Sequence, residues 1–243
     1  MNEDFKNRTV GSIVAENWET AVVFDKYNID YCCKGDIGLE VACAQNDIAV
    51  ELVSEELQNA LSLKPSNKTN FIDWELDHLA EYIESKHHNY VAQKLPEILA
   101  NLNKICRVHG ARHPELLEIR DIFHDVAHEL TVHMKKEEFM IFPVIKKMVH
   151  SIANNYSIPV PTYGSISNPI MVMMQDHDHE GDNFRKIACL SQQYTVPKDG
   201  CSTYRIAYKL LQEFEIDLHK HIHLENNILF PKAVALESAM NRI

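Results

Sequence analysis

The sequence predicts an all-α protein, a small helical N-terminal domain followed by an antiparallel four-helix bundle. Three observations carry this. Glycine is scarce, 7 of 243 residues, and few runs alternate apolar with polar residues as strands do. Four long segments read as helices, with short links inside each pair and a longer link between pairs, the pattern of a bundle. The chain also repeats itself: HMKKEEFMIFP at residues 133–143 returns as HIHLENNILFP at residues 221–231. His221 falls on His133, Glu225 on Glu137, Phe230 on Phe142 and Pro231 on Pro143, always 88 residues apart. Four matches at one offset point to an internal duplication.

Residues 1–62 read as short helices around SIVAENWETAVVFDKYNI and VELVSEELQNAL, joined by YCCKGD. LKPSNKTN, residues 63–70, is polar and contains proline, which marks a linker. The bundle occupies 71–243. Its helices are expected over about 71–106, 114–150, 169–194 and 201–240, with NNYSIPVPTYGSISNP as the long middle loop and KDG as a turn. Pro143 and Pro231 fall inside the second and fourth patterns, where each should kink its helix or end it.

The net charge of −11 argues against a nucleic-acid binder, which carries a basic excess. It suits cationic metals and basic protein partners. MNEDFKNRTV has acids and no apolar core, unlike a secretory signal. No apolar run approaches the ~20 residues that span a bilayer. Both features predict a cytoplasmic protein with no membrane partner. The six cysteines are then expected to be reduced, and no C-x-x-C pair suggests a zinc ribbon.

Residues i and i+4 share a helix face, so His133 projects with Glu137 and His221 with Glu225. One such pair is commonplace on a solvated surface. Two pairs, each set the same distance before a Phe-Pro, point to a shared internal site. The other helix of each hairpin should also contribute. His88 and His177, 89 residues apart, fit the repeat best; His87 and His179 are the alternatives. The set is four imidazoles and two carboxylates with no thiolate, too many ligands for one tetrahedral zinc. Two six-coordinate ions need roughly twelve bonds. Four imidazoles, two bridging carboxylates and a bridging oxo or hydroxo group supply roughly ten. The arithmetic predicts a dinuclear, redox-active centre, iron favoured, with open positions for O₂, NO or peroxide. Glu129 and Asp217 lie four residues before His133 and His221 and are candidates to hold the free imidazole N–H. Asp176, beside His177, is a candidate for an access path. The remaining histidines read as surface or core residues, with His179, His219 and His223 nearest the proposed ligands.

At these residues the sequence resembles a known family. The paired H-x-x-x-E segments ending in FP look like the hemerythrin-like four-helix bundle. FDKYNIDYCCKG, residues 24–35, resembles the small N-terminal domain of the repair-of-iron-centres di-iron proteins. The resemblance spans nearly the whole chain, in order. It implies di-iron ligands at His88, His133, Glu137, His177, His221 and Glu225, with both glutamates bridging. Oxygen-carrying hemerythrins are less similar. They place a further histidine where this chain has Gly181, and their last acid follows its histidine by five residues, not four. The family's CCGG is CCKG here, with Lys34 for the first glycine. Cys32 and Cys33 are candidates for redox exchange or for iron and nitrosyl handling, activated if they precede a helix or if Lys34 lowers their pKa. The structural alternative is a pair of packed thiols. The resemblance implies repair of iron–sulfur clusters damaged by oxidants or nitric oxide, through release of iron to the client. It also implies homodimerisation through the N-terminal region. Reduction of NO to N₂O, and sensing or storage of O₂, NO or iron, are the rival readings. Whether the protein is an enzyme stays open.

Overall fold

The computed structural model describes residues 5–62, 70–154 and 164–240. Of the expected linker only Asn70 falls within them, and most of the expected middle loop lies outside. The described residues contain no strand, only an isolated bridge between Thr9 and Gly38. The chain forms two compact units. One joins residues 1–79 to residues 222–243, and the other spans Ala80–His221.

In the first unit, α1 (Val10–Glu16) starts at Thr9, whose side chain accepts from the Ser12 amide and so satisfies an otherwise orphan donor. A 3₁₀ turn (Trp18–Thr20) leads into α2 (Ala21–Lys26); α3 (Leu39–Gln45) and α4 (Val50–Ser62) follow. Their apolar stripes bury Val10, Ile13, Phe24, Leu39, Val53 and Leu57 in one small core. The loop between α2 and α3 carries the cysteine pair. Gly11 and Gly35 are required beside it, because a Cβ at either would collide with the Asn227 side chain.

The second unit holds most of the bundle. α5 (Leu76–Tyr82), whose first turn belongs to the first unit, runs through a π segment (Ile83–His88) into α6 (Asn89–His109). α7 (Glu115–Lys136) runs through a π turn (Glu137–Ile141) into α8 (Phe142–Asn154). α9 covers Ser167–Leu190. α10 (Ser202–Leu224) runs through a π turn (Glu225–Leu229) into α11 (Phe230–Met240), and so passes from the second unit into the first. α7 packs against both α6 and α9. Leu95, Ile98 and Leu102 of α6, Ile119, Phe123 and Val126 of α7, Phe184 of α9 and Phe214 of α10 are buried at helical spacing. Phe214 stacks on Phe184, with centroids 5.7 Å apart, and meets Phe123 edge-on at 5.6 Å.

Pro143 and Pro231 do not end their helices. Each is the second residue after a π turn, and the helix continues beyond it. Proline cannot donate to the carbonyl four residues back and its ring crowds that carbonyl. A wider turn immediately before it relieves both problems, and π turns of this kind gather at functional sites.

Candidate metal centre

The π segments described above carry three of the six predicted ligands, and two of the others closely precede them. His88 closes the first, Glu137 opens the second just after His133, and Glu225 opens the third after His221. His177 sits midway along α9. All six side chains are buried, and both glutamates are fully buried.

In the second unit five of the six converge. His88 and His221 face each other through Nε2 atoms 3.2 Å apart, and His133 and His177 do the same at 3.0 Å. Glu137 lies between the pairs. Its Oε2 is 3.3 Å from His88 Nε2 and its Oε1 is 3.2 Å from His133 Nε2. Ligating atoms of His88, Glu137 and His221 all lie within 4.8 Å of one another, as do those of His133, Glu137 and His177. Glu225, one helical turn past His221, is buried in the first unit.

This donor set fits a pair of ions. A metal–nitrogen bond of about 2.1 Å and a right angle at the ion put two nitrogens about 3 Å apart. Each histidine pair shows that spacing, and each Glu137 oxygen faces a different pair, as a bridging carboxylate must. The outer nitrogens are fixed as well. His88 Nδ1 meets Glu138 Oε1 at 2.8 Å, and His133 Nδ1 meets Asp176 Oδ2 at 3.3 Å. A carboxylate only accepts, so each Nδ1 keeps its proton and each Nε2 presents a lone pair inward. The His133 hydrogen bond and the nearby Lys136 hold the Asp176 carboxyl down at about 2.

The expected outer partners are redistributed. Glu129 Oε2 lies 3.5 Å from His179 Nε2, and Asp217 brackets His87 Nδ1 with both oxygens at 3.1 Å. The reason is geometric: the Nδ1 edge of His133 faces Asp176 on α9, not its own preceding turn, and Asp217 is taken up by His87. Asp176 therefore does for His133 what Glu129 was expected to do. Glu138 was missed because its repeat counterpart is Asn226, which carries no charge. His87 is also buried, its ring parallel to His221 within 9° at 5.6 Å. The π segment turns both His87 and His88 inward, which an α-helical pattern does not foresee. His223 belongs to the core of the first unit, between Trp18 and Tyr31.

The cysteine loop also lies in the first unit. Asp30 Oδ1 accepts from the amides of Cys32 at 3.1 Å and Cys33 at 2.9 Å, and Cys32 Sγ lies 3.7 Å from Cys33 Sγ. Asn226 and Asn227 donate to the Cys32 carbonyl, tying this loop to the π turn that bears Glu225. The neighbouring Cys33 thiol, burial and Asp30 push the Cys32 thiol well above its usual range. Neither condition named for activation is met at Cys32, whose surroundings match the alternative of packed thiols. No helix begins until Leu39, and the charge beside the thiol is an acid.

Comparison with known proteins gives the family. Residues 80–233 match the Hemerythrin HHE cation binding domain. Residues 6–61 match a Domain of Unknown function, DUF542. The chain belongs to the hemerythrin HHE cation-binding family. It is similar to the iron-sulfur cluster repair protein YtfE of Yersinia pseudotuberculosis serotype IB, 31% identical over 95% of this chain and 98% of that one. YtfE of Yersinia pestis strain Pestoides F matches with the same identity and coverage. Both domains are matched in the order read from the sequence, and the HHE match encloses all six proposed ligands.

Proposed function

We propose that this protein repairs iron–sulfur clusters damaged by oxidative or nitrosative stress, and that it does so by supplying iron from a di-iron centre. The centre is formed by His88, His133, Glu137, His177, His221 and Glu225. Glu137, with one oxygen toward each histidine pair, is the observation that carries the reading. Glu225 is assigned as the second bridge because it repeats Glu137 at the same distance from its histidine. The similarity to YtfE repair proteins along nearly the whole chain supplies the direction of the function.

When bound, the irons supply redox chemistry and a labile cation. The protein's own groups do the rest. Glu138 and Asp176 keep His88 and His133 in the tautomer that offers Nε2. The buried carboxylates offset cationic charge in a poorly solvated core. Imidazole and carboxylate ligands hold iron less permanently than thiolates hold a cluster, which suits a donor. The reading keeps two parts: a bundle over 71–243 that holds iron, and a region over 1–62 whose Cys32–Cys33 pair and homodimer contacts serve the client encounter. Its clients are damaged iron–sulfur proteins of the cytoplasm. Among the described residues no helix is long and apolar enough to cross a membrane.

The test is a reconstituted assay on a nitric-oxide-damaged [4Fe–4S] client. His133→Ala and Glu137→Ala are expected to lose iron and abolish repair. Full repair by either metal-free variant would sink the proposal. Sustained N₂O production with a reductant, without client recovery, would favour NO reduction instead.

A further inference from the structure

Between α7 and α9 the second unit contains a cleft of about 260 Å³, lined by His128, Glu129, Lys136, Asp176, His179 and Glu180. His133, one of the proposed iron ligands, also lines it, so the cleft adjoins the metal centre. Glu180 is the unexplained group. It is 2% exposed, and its Oε2 is buried with no hydrogen-bond partner. Such a carboxylate oxygen is costly to bury, and a native structure retains it for a reason. Neither the repeat nor the six-ligand set uses it. Burial, with Glu129 nearby, pushes its carboxyl up to about 8, so a proton or a metal ion is its natural companion at neutral pH.

The rest of the cleft indicates which ion. Lys136 is engaged by Asp176 at 3.1 Å and so does not neutralise Glu180. Glu129 and His179, 3.5 Å apart and both half-exposed, form a carboxylate–imidazole pair in the same cleft. There is no thiol among the lining residues. Oxygen and imidazole donors without sulfur select a hard or borderline divalent cation, and the volume admits one that keeps several of its waters.

We propose that this cleft is a holding site for one hydrated divalent cation, Fe²⁺ or Mn²⁺, with Glu180 as its innermost ligand and Glu129 and His179 at its mouth. It is separate from the dinuclear centre and needs none of its six ligands. Beside His133, it stages iron that enters or leaves the centre; that role, though not the site, rests on the iron-supply reading.

The experiment uses the full chain with its centre filled with iron. Mn²⁺ is titrated in, and binding is read from loss of the free aquo-ion's EPR signal, with iron counted before and after dialysis. The wild type is expected to bind one Mn²⁺ per chain and keep its iron. Glu180→Gln is expected to weaken that binding about tenfold or more, with the iron count unchanged. His179→Asn, at the half-exposed mouth, is expected to weaken it by about threefold and covers the event that Glu180→Gln fails to fold. No Mn²⁺ bound, equal binding in wild type and both variants, or Mn²⁺ appearing only as iron is lost would overturn the proposal. Any of these leaves the dinuclear centre standing, so the two readings fail separately.

Discussion

Glu137 concentrates the chemistry of the site in one side chain. Its two oxygens face two histidine pairs from within a fully buried position. Glu137→Gln keeps the shape and removes the charge and one ligating oxygen. Iron is expected to fall from about two to one or fewer per chain, a loss of about 10–100-fold in affinity for the second ion; an unchanged iron count would refute the bridge. Glu180 gives a prediction of opposite kind. Burial pushes its carboxyl up to about 8 from a glutamate's ordinary 4.5. A raised carboxyl favours the folded state below the unfolded pKa, and that contribution is lost as pH rises through the folded one. Metal-free protein should therefore lose stability between about pH 4.5 and 8, and Glu180→Gln should flatten that slope in urea melts. A slope that survives the substitution would assign the pH dependence to other groups. The proposed ligands stand out in the sequence because His133 and Glu137 recur 88 residues later and His88 recurs within one residue of that offset. Glu138 and His87 do not, since one lost its charged counterpart and the other depends on a widened turn.

At the scale of elements, the π turns link the Phe-Pro signature to the metal site. Glu137–Ile141 and Glu225–Leu229 are themselves 88 residues apart, so the duplication preserved the widened turn with its proline. Period-3.6 reasoning sees a helix there and a breaker, and predicts a kink or an end. The π turn instead lets the helix run on while placing a glutamate inside. Pro143→Ala restores an amide donor and removes the reason for the wide turn. Helix content by circular dichroism should hold or rise, while iron affinity falls about tenfold through the shifted Glu137. Equal iron affinity would separate the proline from the site. The aromatic layer around Phe214 is scaffold: Phe214→Ala should cost about 3–5 kcal/mol in chemical denaturation, and a cost below about 1 kcal/mol would contradict its role as core. The helix spans themselves were legible to within a few residues, because their apolar stripes are long and regular.

Across the whole molecule, the sequence order of a cysteine-bearing helical region and a histidine-rich bundle reappears in the two matched domains. The grouping of the last helical stretch with the N-terminal unit was not legible, because it depends on contacts far apart in the chain, such as Asn226 and Asn227 with the Cys32 carbonyl. A centre that binds only the folded chain also stabilises it, by about 2.7 kcal/mol at a hundredfold excess over Kd. Chelation should therefore lower the melting temperature of the wild type and leave a Glu137→Ala variant unmoved. The most direct measurement is metal content and Mössbauer spectra of anaerobically purified protein, beside His221→Ala. The account predicts about two coupled irons per chain, reduced in the variant. One zinc, or no metal after iron reconstitution, would mean that the repeated motif is scaffolding.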